Sequence, residues 1–125
     1  MKSLRSFFCF IGIASALMAA PQVIVLEGEL TNTTADVSAP AQLVLTIEGA
    51  IVKAQLVTAA PLTGTGELAG VLENGWCHLQ GTLEQGVTLR LRGGLNERDF
   101  RGTYLAAVPG DLVQYGRFHF TRKQP

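Results

Sequence analysis

The strongest fold signal is the stretch GELAGVLENGWCHLQGTL, residues 66–83. It begins a series of short segments with alternating apolar and polar residues that continues to Phe120. The pattern apolar-x-Gly-x-apolar occurs in it twice and recurs downstream as Leu91–Leu95 and Phe100–Tyr104. Residues two apart share a face of a strand, so each glycine lies on the face of its two apolar neighbours. The pattern predicts an antiparallel β-meander in which large side chains cover the glycines of neighbouring strands.

The connections between these segments predict the strand register. Asn74-Gly75 is the sequence of a two-residue type I′ turn, and it places Leu72 opposite Cys77. Three further connections are predicted at residues 84–86, 96–99 and 109–111. They pair Leu79 with Leu91, Leu95 with Phe100, Tyr104 with Gly116, and Phe100 with Phe120. Each pairing keeps the apolar residues on one face, which a shift of one residue would reverse.

The segments before residue 66 extend the same architecture. Gln22–Thr31 alternates as a strand and is expected to pair with the last strand, and Gln42–Val57 reads as a hairpin around Gly49-Ala50. Asn32–Ala41, rich in Thr, Ser, Ala and Pro, is expected to be a surface loop. The prediction is an all-β up-and-down meander of about eight strands, forming one closed or nearly closed barrel domain over residues 21–125.

Residues 1–20 have the features of a signal peptide. Lys2 and Arg5 precede the apolar run Phe7–Met18, and Ala19-Ala20 supplies small residues for cleavage. The apolar run is shorter than the roughly 18 residues that a membrane-spanning helix needs. We therefore expect export to the periplasm or the medium, in a bacterial style of secretion.

The cysteines and histidines do not predict catalysis. Cleavage would remove Cys9 and leave Cys77, which we expect to be a buried thiol, with an intermolecular disulfide as the alternative. Cys77 and His78 are adjacent, so on a strand they point to opposite faces and cannot act as a nucleophile-base pair. No three convergent metal ligands and no cofactor motif occur. We therefore expect neither enzyme activity, nor a metal site, nor a cofactor.

Charge is distributed unevenly along the chain. Residues 21–86 contain one Lys against six Glu and one Asp, whereas residues 87–125 contain seven Lys or Arg against three acids. The polar face of the last strands carries a predicted basic surface, with an aromatic residue nearby: Arg90, Arg92, Arg101, Arg117, His119 and Trp76. This surface is either a solvated exterior or a contact for an anionic envelope partner or the acidic half of a second copy. Nucleic acid is not an expected partner, because residues 21–125 are net acidic.

The predicted interior suggests a different binding mode. Tyr104 and Gln114 are its only members with polar tips, and glycines in place of bulky residues could leave room for a small apolar ligand. The alternative is a solid core filled by Phe100, Phe118 and Phe120. Either way, the predicted role is non-catalytic binding, in the barrel or on its basic outer face.

A minor alternative is a small outer-membrane barrel, in which the inner and outer faces of the sheet are exchanged. In a small outer-membrane barrel the apolar face would contact lipid, and the charged residues would fill the lumen. The predicted strands are short for spanning a membrane, and the chain has one Trp and two Tyr, too few for aromatic girdles. A membrane location is therefore not expected.

The strand meander from about Gly66 onward resembles the calycin group of small secreted barrels, which includes lipocalins and avidin-like proteins. The lipocalin Gly-x-Trp signature does not begin the first strand, since Trp76 follows Gly75 directly in the middle of the chain. The tryptophans that line a biotin pocket have no counterpart here. The resemblance thus implies the architecture and carries over no functional residue.

Overall fold

The computed structural model describes residues 20–123, which form eight β-strands and one short 3₁₀ turn. The strands are β1 Gln22–Asn32, β2 Val37–Glu48, β3 Ile51–Thr58, β4 Gly66–Glu73, β5 Trp76–Thr82, β6 Thr88–Leu95, β7 Asp99–Ala107 and β8 Val113–Arg122. The 3₁₀ turn, Glu84–Gly86, lies between β5 and β6. The signal peptide predicted for residues 1–20 lies, except for Ala20, outside the described residues.

The strands form a closed antiparallel barrel. Each strand pairs with the next along the chain, and β8 returns to pair with β1, where Leu30 lies opposite Phe118. The predicted all-β class, the eight-strand meander and the closure of the barrel are confirmed. Closure removes the unpaired edges that an open sheet would present to other chains.

The turn residues set the register as predicted. Asn74 and Gly75 both have positive φ, 51° and 79°, as a type I′ turn requires. Gly49 has φ 65° and Ala50 does not have a positive φ, which agrees with glycine at the first position of a type II′ turn. The predicted pairs are present: Leu72 with Cys77, Leu79 with Leu91, Leu95 with Phe100, Tyr104 with Gly116, and Phe100 with Phe120.

The loop predicted over Asn32–Ala41 is wrong. The connection is only the turn 33–36, and β2 begins at Val37, with Ala39 and Ala41 buried in the barrel. The carbonyl of Pro40 accepts a bond from the N–H of Ala59, one residue beyond the end of β3. Proline is tolerated here because its nitrogen faces that same side, beyond the last paired residue of β3, and not toward β1.

The interior is apolar and the charges lie outside. Buried and exposed residues alternate along the strands, and Asn32 is the single buried polar residue among residues 20–123. Cys77 is buried and free, as predicted. The charged side chains that the outer-membrane alternative would place in the lumen therefore lie on the exterior.

The two ends of the barrel are built differently. We call one the turn end, because it carries the short connections 49–50, 74–75 and 96–98. We call the other the loop end, because it carries the connections 33–36, 59–65, 83–87 and 108–112. Phe100, Phe118 and Phe120 pack together toward the turn end, with ring centroids 4.7 and 5.7 Å apart along the series. These rings pack against one another in that part of the interior.

Candidate functional site

A cavity of about 170 Å³ lies in the barrel at the loop end. Its walls are mostly apolar, and they come from the ends of the strands and from three of the loop-end connections: Leu30, Leu56, Pro61, Leu62, Leu83, Val87, Leu89, Ala106 and Val108. Its polar lining is uncharged and consists of Asn32, Thr58, Thr63, Tyr104 and Gln114. Both residues that the sequence nominated for ligand binding, Tyr104 and Gln114, therefore lie at this cavity.

Tyr104 is held at the cavity by the glycine opposite it. A Cβ added to Gly116 would lie 2.3 Å from two atoms of the Tyr104 ring, so the ring rests directly on the glycine backbone. Burial raises the pKa of the Tyr104 phenol above its ordinary value. The hydroxyl therefore stays protonated at neutral pH and can donate a hydrogen bond.

Gln114 is held by Asn32, a residue that the sequence analysis did not select. The Asn32 amide nitrogen donates to Gln114 Oε1, and Asn32 Oδ1 accepts from the backbone N–H of Ala35 at 2.9 Å. Asn32 is only 5% exposed, so these bonds satisfy a polar side chain that would otherwise be costly to bury. The pair also ties the end of β1 to the start of β8.

Thr58 brings an unsatisfied hydroxyl to the same cavity. Its Oγ1 is buried and has no hydrogen-bond partner within residues 20–123. A buried polar group without a partner costs about 1–3 kcal/mol, so such groups are uncommon in folded proteins. A bound molecule with a polar atom could supply the missing partner.

Asn32 and Thr58 were missed for the same reason. Each lies one residue beyond the end that the sequence predicted for its strand. The signal was the alternation itself, because Leu30 and Leu56 point inward and the residue two further on continues that face. Extending each strand by one residue would have found both.

The chemistry available at the cavity is hydrogen bonding to an uncharged ligand. Amide, alcohol and phenol groups line it, and none of these is a base at neutral pH. Cys77 is buried and His78 is exposed, so they point to opposite faces as predicted. Within the described part of the chain, no three potential metal ligands cluster.

One acidic residue, Asp99, contacts two members of the predicted basic surface. Asp99 Oδ2 lies 2.9 Å from His119 Nε2 and 3.2 Å from Arg101 Nη2. The hydrogen bond from His119, followed by the contact with Arg101, holds the pKa of Asp99 below its ordinary value. The charge of Arg101 is therefore partly compensated, which the sequence analysis had not anticipated.

The other three arginines surround a groove on the outside of the barrel. Arg90 and Arg92 on β6 and Arg117 on β8 line about 480 Å³ of space together with Thr103 and Tyr115. In residues 20–123 no acidic side chain forms a salt bridge with any of the three. This groove carries uncompensated positive charge, unlike the surface around Asp99.

Trp76 is not one of the residues that line that groove. It is 47% exposed beside the turn 74–75, and its ring meets the ring of His78 edge to face with centroids 6.3 Å apart. It pairs with Gly94, which in turn pairs with Arg101. Arg92 on β6 is therefore a diagonal neighbour of Trp76, whereas Arg101 lies one strand further away on β7.

Comparison of the chain with protein families, with curated proteins and with solved structures gave no match. Among the described residues, no helix is long and apolar enough to cross a membrane.

Proposed function

We propose that this protein is an exported, non-catalytic binding protein whose loop-end cavity holds a small, uncharged and mostly apolar molecule. The observation that carries the proposal is the cavity of about 170 Å³ together with the unsatisfied hydroxyl of Thr58 that lies at it. Apolar walls favour a hydrophobic ligand, and a few fixed polar groups orient it, as in most small-molecule sites.

The volume limits the size of the ligand. An apolar protein cavity of about 150 Å³ binds benzene, whereas drug-sized ligands occupy clefts of about 300–1,000 Å³. A cavity of about 170 Å³ therefore fits one ring with a small substituent, or a short chain of similar bulk. Long fatty acids and polycyclic molecules are too large unless the loops move.

The polar groups support binding rather than catalysis. The Tyr104 phenol, whose pKa is raised by burial, stays neutral, and the amides of Asn32 and Gln114 do not titrate. A general base or nucleophile needs a group that loses its proton near the working pH. The cavity has none, so a bound molecule would leave unchanged.

Toluene tests this proposal in a thermal unfolding experiment. At ten times its dissociation constant, a ligand that binds only the folded state adds about 1.4 kcal/mol, which corresponds to roughly 4 °C or more for a domain of this size. We expect a saturable rise in the melting temperature of residues 21–125. The matched control is Ala106→Leu, which fills the cavity and should abolish the rise. An absent rise, or an equal rise in the variant, would contradict the proposal.

Export is part of the proposal and rests on the composition of residues 1–20. We expect the protein expressed with these residues in a bacterial host to lose them and to appear in the periplasm or the medium. N-terminal sequencing of the exported form should begin at Ala20 or Pro21. A cytoplasmic protein that keeps Met1 would contradict this part.

The outer groove supports a second candidate function, contact with an anionic envelope partner or with the acidic half of a second copy. Its support is the uncompensated charge of Arg90, Arg92 and Arg117 around one depression. The acidic residues of β1 and β4 would be the complementary surface in a homodimer. Sedimentation at low and high salt tests this, because charge pairing at the surface is screened by salt.

The matched variants for that test are Arg92→Glu and Lys53→Glu. Arg92 lines the groove, whereas Lys53 is a cation on the outside of β3. We expect dimers at low salt that Arg92→Glu abolishes and Lys53→Glu does not. A monomer under all conditions removes the homodimer from this candidate function.

A further inference from the structure

We propose that the loop-end cavity selects ligands that carry a neutral hydrogen-bond acceptor, such as the carbonyl oxygen of a ketone, aldehyde, ester or amide. This inference rests on the proposed function, because it specifies the chemistry of the molecule in the same cavity. The hydrogen bonds at the polar side of the cavity support it.

The orientation of the Asn32 amide is fixed by the backbone. The N–H of Ala35 can only donate, so the Asn32 atom 2.9 Å from it must be the oxygen Oδ1. The Nδ2 group of Asn32 is therefore the one that faces Gln114. A nitrogen donor in that position requires an acceptor, so Gln114 presents Oε1 to it.

The consequence is that the Gln114 amide meets the cavity with its donor group. Its oxygen faces Asn32, so its Nε2 group is the part of the amide that remains for a molecule in the cavity. The Thr58 hydroxyl is unpaired within residues 20–123, and the neutral Tyr104 hydroxyl can donate as well. All three polar groups can thus donate a hydrogen bond to a ligand, and the Nε2 group of Gln114 can only donate.

Charge complementarity narrows the ligand further. Among residues 20–123, no Asp, Glu, Lys, Arg or His lines the cavity. A carboxylate or an ammonium group would lose its hydration there and would find no opposite charge, which is a large penalty. The ligand that fits is therefore an uncharged molecule of about one ring with an acceptor oxygen.

The experiment compares cyclohexanone with toluene, two neutral molecules of similar size of which only cyclohexanone carries a carbonyl oxygen. Dissociation constants are measured by NMR titration for the protein and for Gln114→Met, which keeps the length of the side chain and removes the donor. We expect about tenfold weaker binding of cyclohexanone by the variant, with toluene affinity unchanged. Gln55→Met, on the outside of β3, is the matched control and should change neither affinity.

Two further variants keep the test decisive if Gln114→Met does not fold. Thr58→Val removes the unpaired hydroxyl with little change of shape and should also weaken cyclohexanone alone. In Asn32→Asp, the carboxylate still accepts from Ala35 but can no longer donate to Gln114. The Gln114 amide should then rotate and present its oxygen to the cavity, and the preference for cyclohexanone should disappear.

The outcomes separate this inference from the proposed function. If toluene binds and the cyclohexanone affinity is the same in all the variants, or if both molecules weaken together, the acceptor selectivity is wrong and the cavity remains a binding site. If neither molecule binds the unmodified protein at millimolar concentration, both proposals fail. Selective loss of cyclohexanone in Gln114→Met or Thr58→Val, together with its loss in Asn32→Asp, supports the inference.

Discussion

The turn end and the loop end of this barrel use the same eight strands for different purposes. At the turn end, two- and three-residue connections join the strands, and three phenylalanine rings occupy the interior. At the loop end, connections of four to seven residues surround a cavity lined by uncharged polar groups. The Thr58 hydroxyl there has no hydrogen-bond partner in the described part of the chain, whereas phenylalanine side chains have no polar atoms that need one.

In this small barrel, the packed residues and the residues that surround the cavity thus lie at opposite ends. An eight-stranded barrel has an interior that side chains just fill, or that holds one small ligand. Here the dense packing at the turn end contributes the burial that stabilises the fold. The loop end can then tolerate a void and an unsatisfied polar group, which are destabilising features typical of binding sites.

The largest difference is expected between two leucines on one face of β6. Leu91 is fully buried, whereas Leu89, two residues nearer the loop end, borders the cavity. Leu91→Ala should lower the free energy of unfolding by about 3–5 kcal/mol and Leu89→Ala by about 2–3 kcal/mol, since Leu89 has fewer packing partners to lose. Urea denaturation measures both. Equal losses would mean that the loop end is packed as tightly as the rest.

A smaller effect is expected from a pair of adjacent glycines near the turn end. A Cβ on Gly93 would lie 2.1 Å from the carbonyl oxygen of Arg101, whereas a Cβ on Gly94 would meet nothing within 4 Å. Gly93→Ala should therefore cost about 1–3 kcal/mol, because the strands would have to separate. Gly94→Ala should be neutral or stabilise by up to about 1 kcal/mol. Similar values for the two would contradict the close approach of β6 and β7.

The dependence of stability on pH tests the burial of Cys77. Burial raises the pKa of its thiol from 9.0 to about 11. The unfolded chain therefore loses this proton first, and the free energy of unfolding should fall as the pH rises from 9 toward 11, by about 1 kcal/mol at pH 10. In Cys77→Val this part of the fall should be missing. An identical pH profile in the variant, or rapid reaction of the native thiol with a disulfide reagent, would show that the thiol is accessible.

The smallest change in stability is expected when the cavity is filled. Ala106→Leu places methyl groups in empty space and should change the free energy of unfolding by less than about 1 kcal/mol. Ala54→Leu makes the same change at a core position away from the cavity and should cost about 1–3 kcal/mol. If the order is reversed, the interior of the loop end is fuller than the structure indicates.

The register of the strands was open to prediction because it depends on short-range features. Asn74-Gly75 demands positive φ at both residues, and the alternation on either side fixes which face is buried. The error over Asn32–Ala41 arose from composition. Small residues and a proline suggested a loop, but Ala39 and Ala41 continue the inward alternation, and Pro40 lies where pairing with β3 has ended.

The candidate site was predicted only in part. Tyr104 and Gln114 were selected because they were the polar members of an apolar face, and both lie at the cavity. Asn32 and Thr58 lie at the same cavity, and each falls one residue beyond the predicted end of its strand. On the outside, the residues of the predicted basic surface are exposed, but the sequence did not reveal that Asp99 forms a salt bridge with Arg101 and a hydrogen bond with His119.

By itself, the sequence determined the fold class, the order of the strands and the face that each strand buries. These follow from turn chemistry and from an alternation of period two, both of which act between near neighbours in the chain. Only the tertiary structure decided where the interior is full and where it is empty, because a cavity depends on the summed volumes of side chains from many strands at one level. It also decided which polar groups have partners, since Asn32 and Gln114 meet only when β8 closes against β1.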